Sequence, residues 1–280
     1  MKLPSNAQYM RAGYLEAVDA FAATAFGFTD KEATDLDPQQ RIGLEIAAEA
    51  LANAGYGFKG LQGSRTSVYA SIEPSLYLRG VANPTDTQRL GTIANMFPAR
   101  VAHLFGLQGP AATVDSACSS SLLALHLACN DLKLDQSDFG LVVATNIHPL
   151  PFQLPSDGMR SNDGLSRSYS DLAAGMSYGE AAVAVLVKRL DAAIADGDVI
   201  HAVIAGSAAI HNGGRSFSLT APDSEAIADV LHRAWRQSGH KLDDVEYLEG
   251  HGAGTKLGDT LEIEGYVLAT RGLKRDCLRR

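Results

Sequence analysis

An α/β fold with a mostly parallel sheet is what this chain's pattern predicts. Short valine-rich runs alternate with longer amphipathic ones, and the amphipathic runs open on capping residues and close on glycine. A length of 280 residues, 46% of them hydrophobic, allows a sizeable core in one large domain or two smaller ones.

The elements follow in order. Asp37-Pro38-Gln39-Gln40 opens a helix, with Asp as cap, Pro at the first helical position and Gln three residues after the cap. Ile42, Ile46, Ala47, Ala50, Leu51 and Ala54 form its apolar stripe, and Gly55 ends it. Residues 66–71 read as a strand, and residues 90–105 as a helix that Pro98 kinks or splits. Residues 113–115 form the strand entering the corner at Cys118. Residues 139–145 and 181–188 have the composition of strands buried on both faces. Residues 149–180 lack periodicity and read as a long loop, a type of segment that is usually functional. A second β–α–β stretch has strands at 201–208 and 245–249. Between them lies a helix marked by Ile227, Val230, Leu231, Ala234 and Trp235 and ended by Gly239.

Composition narrows the function. A formal charge of −8 argues against broad nucleic-acid binding, and the only basic cluster is the tail, Arg271, Lys274, Arg275, Arg279 and Arg280. The longest strongly apolar run is about a third of a membrane span, and the first residues lack a signal-peptide core. Three cysteines fit a reducing compartment better than a disulfide framework. These features predict a cytoplasmic protein with no membrane or nucleic-acid partner.

Two segments carry chemistry. Residues 114–128, Val-Asp-Ser-Ala-Cys-Ser-Ser-Ser-Leu-Leu-Ala-Leu-His-Leu-Ala, read as a strand, a tight corner and a helix, with Cys118 in the helix's first turn. The positive end of a helix favours thiolate, the reactive form of cysteine. Small neighbours leave room for a substrate, which makes Cys118 the candidate nucleophile. The residues alone leave inert packing open as the other meaning of a lone thiol. Cys129, deeper in the same apolar helix, reads as core, as does His126, about two helical turns past Cys118. The second segment, residues 249–262, reads Glu-Gly-His-Gly-Ala-Gly-Thr-Lys-Leu-Gly-Asp-Thr-Leu-Glu. Glycines around His251 permit tight backbone geometry and close approach of a ligand. The alternative is a glycine-rich turn with an exposed histidine. A P-loop is improbable in this order, because Thr255 precedes Lys256.

Together the two segments resemble the β-ketoacyl synthases, particularly the ketosynthase domains of polyketide and fatty acid synthases. The resemblance extends through Gly13-Tyr14-Leu15, Leu36-Asp37-Pro38-Gln39-Gln40-Arg41, Gly106-Leu107-Gln108-Gly109-Pro110, Gly179-Glu180, Lys188-Arg189-Leu190 and Asp196-Gly197-Asp198. It implies a thiolase-like fold of layered α/β/α/β/α architecture. The N-terminal half would be nearly complete over residues 1–189, and the C-terminal half partial over residues 190–280. It also implies decarboxylative Claisen condensation. Cys118 accepts an acyl group from a thioester, and the carbanion of a decarboxylated malonyl-type extender attacks the acyl-cysteine. His251 serves as a donor to the enolate that forms. By the same resemblance Thr255 and Ser119 are substrate-binding, with Thr255 on the phosphopantetheine arm, and Asp259 and Glu262 orient the loop. No metal or bound cofactor is implied. Substrates arrive on the phosphopantetheine of an acyl carrier protein or on coenzyme A. The expected assembly is a homodimer, or a pairing with a chain that carries the missing half.

Departures from the family pattern qualify these expectations. The chain is shorter than the family at both ends and lacks its later lysine and second histidine. Losing that donor is worth on the order of 3 kcal/mol of transition-state stabilisation, which predicts impaired condensation by the chain alone. Ala253 stands where a threonine is usual, Gly250 where an alanine is, and Ala181 in place of a glycine. Two alternatives therefore stay open: a non-catalytic remnant or carrier-protein interaction module, and a cysteine-dependent thioester hydrolase or transacylase. The net negative charge gives no general steering of an acidic carrier protein.

Overall fold

The computed structural model describes residues 11–78, 81–148 and 159–271. Within them the chain forms two compact units. One draws on residues 13–78, 81–148 and 179–203, the other on residues 11–12, 159–178 and 204–271. The units are not collinear with the chain: the loop that ends at Tyr178 packs with the later residues rather than with the strands that flank it. The helices are α1 (Asp30–Asp35), α2 (Pro38–Asn53), α3 (Asp86–Leu90), α4 (Met96–Phe105), α5 (Ser120–Lys133), α6 (Leu190–Asp196), α7 (Ser224–Ser238) and α8 (Lys256–Ala269).

The first unit is built on a four-stranded sheet of β1 (Thr66–Ile72), β2 (Ala111–Thr113), β3 (Phe139–Asn146) and β4 (Ala181–Lys188). The strand order is β2-β1-β3-β4. The β1–β2 and β1–β3 ladders are parallel, and β3–β4 is antiparallel. One face carries Val68, Ala70, Leu141 and Val143 under Leu44, Ala47 and Leu51 of α2 and Phe97, Val101 and Phe105 of α4. The other face sets Val142 and Val114 against Ala124 and Ala128 of α5. Helix α5, which follows the Cys118 corner, is tied to the sheet by a 2.8 Å hydrogen bond from the Tyr69 hydroxyl to Asp131. Burial, with Asp131 beside it, pushes the Tyr69 phenol up to about 12.

Several expectations change in detail. Asp37 caps α2 by accepting from the Gln39 N–H at 2.8 Å, but Gln40 does not reach back to close a capping box. Its amide instead donates to the Ile93 carbonyl and accepts from Arg100, because tertiary partners satisfy it better. Pro98 lies in the first turn of α4, where its missing N–H breaks no helix bond, and the helical run divides into α3 and α4 before it. The strand before Cys118 is Ala111–Thr113, two residues earlier than the sequence suggests. β3 is buried on both faces, whereas β4 is an antiparallel edge strand with Val183 and Val185 exposed.

The second unit departs further. Helix α7 forms as expected, capped by Asp223 at 2.7 Å and ended by Gly239 at φ 69°. The flanking segments 201–208 and 245–249 are not strands. Their β-favouring residues meet no neighbouring strand, and without a ladder there is no strand to assign. Instead α7 packs on α8, where Ile227 lies over Gly265 and the His232 ring contacts the Ala269 carbonyl at 2.9 Å. Among the described residues no helix is long and apolar enough to cross a membrane. The basic tail beyond Arg271 lies outside the described residues.

The α2–α4 contact gives a direct test of the core. A Cβ at Gly43 would lie 2.2 Å from the Phe97 ring. Alanine is favoured over glycine in a helix by about 1 kcal/mol, but overpacking typically costs about 1–3 kcal/mol. Gly43→Ala is therefore expected to lower stability in denaturant unfolding, and Phe97→Leu in the same chain to recover part of the loss.

Candidate active site

The Cys118 corner is a short 3-10 turn, Ala117–Ser119, running directly into α5. Ala117 has φ 53°, a left-handed conformation that a non-glycine residue rarely takes. Side chains on either side hold it there. Asp115 accepts the Ala117 N–H at 3.2 Å, and the buried Ser120 hydroxyl donates to the Ala117 carbonyl at 2.6 Å. The same hydroxyl accepts the Ser116 N–H at 2.8 Å. Ser119 Oγ donates to the Ser116 carbonyl and hydroxyl, both at 2.9 Å. Glycine would take this turn more easily, but it would also leave the corner loose. The result is an exposed Cys118 where strand gives way to helix, while Cys129 is buried and its thiol is pushed up by burial. His126 sits 3.1 Å from the Asn130 amide on the same helix, and burial lowers its basicity.

In the second unit the residues named from the glycine-rich motif lie together. Thr255 is the N-cap of α8, accepting from the Gly258 N–H at 3.2 Å. His251 is exposed, on the loop that leads to that cap. Two buried carboxylates on α8 face the loop from below. Asp259 accepts the Gly254 N–H at 3.0 Å and the Tyr169 N–H at 2.7 Å. Glu262 accepts the His251 N–H at 2.5 Å and the Gly252 N–H at 2.9 Å. It also accepts the Tyr169 hydroxyl at 3.0 Å and the Tyr266 hydroxyl. Burial pushes the Glu262 carboxyl up, but these four hydrogen bonds outweigh it and hold the group below the ordinary glutamate value. Ser168 Oγ donates to the Gly252 carbonyl, and Gly175 N–H to the Gly254 carbonyl at 2.8 Å.

The structure thus gathers the predicted residues into two groups, Cys118 with Ser119 in the first unit and His251, Thr255, Asp259 and Glu262 in the second. Sequence reasoning missed Ser168, Tyr169 and Tyr266. Tyr169 lies 93 positions from Glu262, in a segment without periodicity, and no local signal could have paired them. Ser120 was visible as part of the serine run, but its part in holding the turn was not.

An exposed thiol at a strand-to-helix turn has the geometry needed to form a covalent intermediate. Comparison with known proteins shows the family. Residues 2–193 match the family description "Beta-ketoacyl synthase, N-terminal domain", and residues 201–277 match "Beta-ketoacyl synthase, C-terminal domain". The chain belongs to the β-ketoacyl synthase family, and its fold is thiolase-like. It is 39% identical over 267 residues to a phenolphthiocerol/phthiocerol polyketide synthase of Mycobacterium tuberculosis, covering 93% of this chain and 17% of that protein. It is 39% identical over 271 residues to erythronolide synthase EryA3 of Saccharopolyspora erythraea, covering 94% of this chain and 8% of that protein. Among solved structures, the oxazolomycin ketosynthase domain OzmH KS7 of Streptomyces albus superposes with a TM-score of 0.85 at 34% identity, covering 94% of this chain and 46% of that one. The ketosynthase from module 1 of the bacillaene synthase of Bacillus amyloliquefaciens gives 0.83 at 32% identity, covering 91% and 47%. The chain therefore spans about half the length of the ketosynthases it superposes on and under a fifth of these two polyketide synthases.

Glu262 sets a pH dependence. Its folded-state pKa is depressed, so its stabilisation is fully present above the ordinary glutamate value and is lost as pH falls through the lowered one. Glu262→Gln cannot accept on both sides and leaves loop N–H groups unpaired, at a cost of about 2–3 kcal/mol near neutrality. In urea unfolding, the stability gap between wild type and Glu262→Gln is expected to be widest near pH 7 and to close as the medium is acidified below pH about 4.

Proposed function

We propose that the chain is the condensing component of a polyketide synthase, joining an acyl group to a malonyl-type extender by decarboxylative Claisen condensation. The observation that carries this reading is the exposed Cys118 at the left-handed turn into α5, in a chain of the β-ketoacyl synthase family. In the first half-reaction the Cys118 sulfur attacks the carbonyl of an acyl thioester, and the carrier thiol leaves as the acyl-cysteine forms. In the second, a malonyl-type thioester loses carbon dioxide. The electron pair left on its α-carbon attacks the acyl-cysteine carbonyl, and the Cys118 sulfur leaves. The product is a 3-oxoacyl thioester.

His251 is the proposed donor to the thioester oxygen that carries charge during decarboxylation, and the Cys118 N–H one arm of an oxyanion hole. Ser119 and Thr255 are the proposed substrate contacts, with Thr255 at the phosphopantetheine arm. Asp259 and Glu262 set the loop's shape, a reading supported by the three loop N–H groups they accept. The relatives are polyketide synthases, which supports an acyl carrier protein as the partner that presents both substrates, and a cytoplasmic reaction. A second copy of the chain, or a chain that supplies further ketosynthase sequence, is the proposed assembly partner.

The test supplies the chain, alone and together with a chain that carries further ketosynthase sequence, with an acyl thioester and a malonyl thioester on carrier protein and follows products by mass spectrometry. The expected outcome is a 3-oxoacyl product that Cys118→Ala abolishes and His251→Ala slows by about 10²–10³. Acylation of Cys118 without carbon–carbon bond formation would reduce the reading to transacylation. Rapid free-acid release that depends on Cys118 would replace it with thioester hydrolysis.

A further inference from the structure

We infer that Tyr169 and Tyr266 are positioning residues for His251, acting through the Glu262 carboxylate, and that Gly250 is the space their hydroxyls require. The functional half of this inference rests on the proposed role of His251, while the structural half stands without it. Each Glu262 oxygen takes one loop N–H and one phenol. Oε1 accepts from His251 N and the Tyr266 hydroxyl, and Oε2 from Gly252 N and the Tyr169 hydroxyl. A buried carboxylate with two backbone partners alone could rotate or tilt. The two phenols occupy the remaining acceptor positions and leave one orientation that satisfies all four donors. Tyr169 is itself placed by α8, since its N–H donates to Asp259 at 2.7 Å, and this helps to keep it at φ 58°.

Gly250 shows that the arrangement is coupled. Its backbone lies outside the left-handed region, so an alanine would meet no backbone strain there. A Cβ at that position would nevertheless lie 2.0 Å from the Tyr169 hydroxyl, against 3.1 Å from the Tyr169 ring carbon that bears it and 3.1 Å from the Tyr266 hydroxyl. The missing methyl is therefore required by the two phenols. The residue before His251 and the hydroxyls beneath it form one unit: a side chain at 250 displaces the Tyr169 hydroxyl from its place on Glu262.

The test uses the full chain and compares Gly250→Ala, Tyr169→Phe, Tyr266→Phe and the double variant Gly250→Ala/Tyr169→Phe. Hydrogen exchange at the His251 and Gly252 amides is the first readout. Removing one hydrogen bond to a carboxylate should speed their exchange about tenfold or more in either phenylalanine variant. Gly250→Ala should speed it as well, and the double variant should exchange no faster than Tyr169→Phe alone. Unchanged exchange in Tyr169→Phe, or a Gly250→Ala effect that is the same with and without the Tyr169 hydroxyl, would overturn the inference. The second readout separates positioning from simple support. The condensation kcat should fall in Tyr169→Phe while the rate of Cys118 acylation stays at the wild-type value. Equal kcat in an active protein would overturn the positioning role. A wild type that never condenses would instead count against the proposed function, leaving the exchange data to decide the coupling on their own.

Discussion

The candidate chemistry of this chain depends on one backbone constraint, the left-handed turn at Ala117. A non-glycine residue there costs on the order of 1–2 kcal/mol, and the side chains around it offset that cost. Asp115 accepts the Ala117 N–H, the Ser120 hydroxyl donates to the Ala117 carbonyl, and Ser119 closes onto Ser116. The serine run is therefore scaffolding for the turn. With the turn in place, the strand Ala111–Thr113 can hand over to α5 without burying Cys118. The Tyr69–Asp131 hydrogen bond keeps that helix seated on the sheet. Small residues at Ala124 and Ala128 let it approach closely. Sheet, turn and helix form one rigid mount for a single sulfur atom.

The second unit solves a different problem with different means. A loop of glycines around His251 would be too free to present an imidazole reproducibly, because glycine loses most conformational freedom on ordering. Here the order comes from α8, whose Thr255 caps its own helix while Asp259 and Glu262 reach back to three N–H groups of the loop. The Glu262 carboxylate is held ionised by the donors that it organises. The loop's glycines give the backbone its shape, and the acids keep it there.

How far this was legible in the sequence depended on whether the signal was local. Helix α2 was readable from its Asp37 cap and apolar stripe, and the corner at Cys118 from the abrupt change between small residues and a leucine-rich helix. Residues 201–208 and 245–249 misled because β-favouring residues make a strand only where another strand lies alongside. Gln40 misled in the opposite direction: the capping spacing was present, but Ile93 and Arg100 compete for its amide. Asp259 and Glu262 could be named from their motif, while Ser168 and Tyr169 could not. They reach the histidine loop from an aperiodic segment far earlier in the chain, and only folding pairs them. The departure at Gly250 was visible as an oddity whose cause lay in those same hydroxyls.

That the Ala117 turn makes Cys118 the chain's acyl acceptor is tested most directly by peptide mapping of the protein after brief exposure to an acyl thioester. The expected result is one acyl group per chain, on the Cys118 peptide, with Cys129 unmodified and the adduct absent in Cys118→Ala. A protein that stays unacylated, or that carries the acyl group elsewhere while Cys118 remains free, would contradict it.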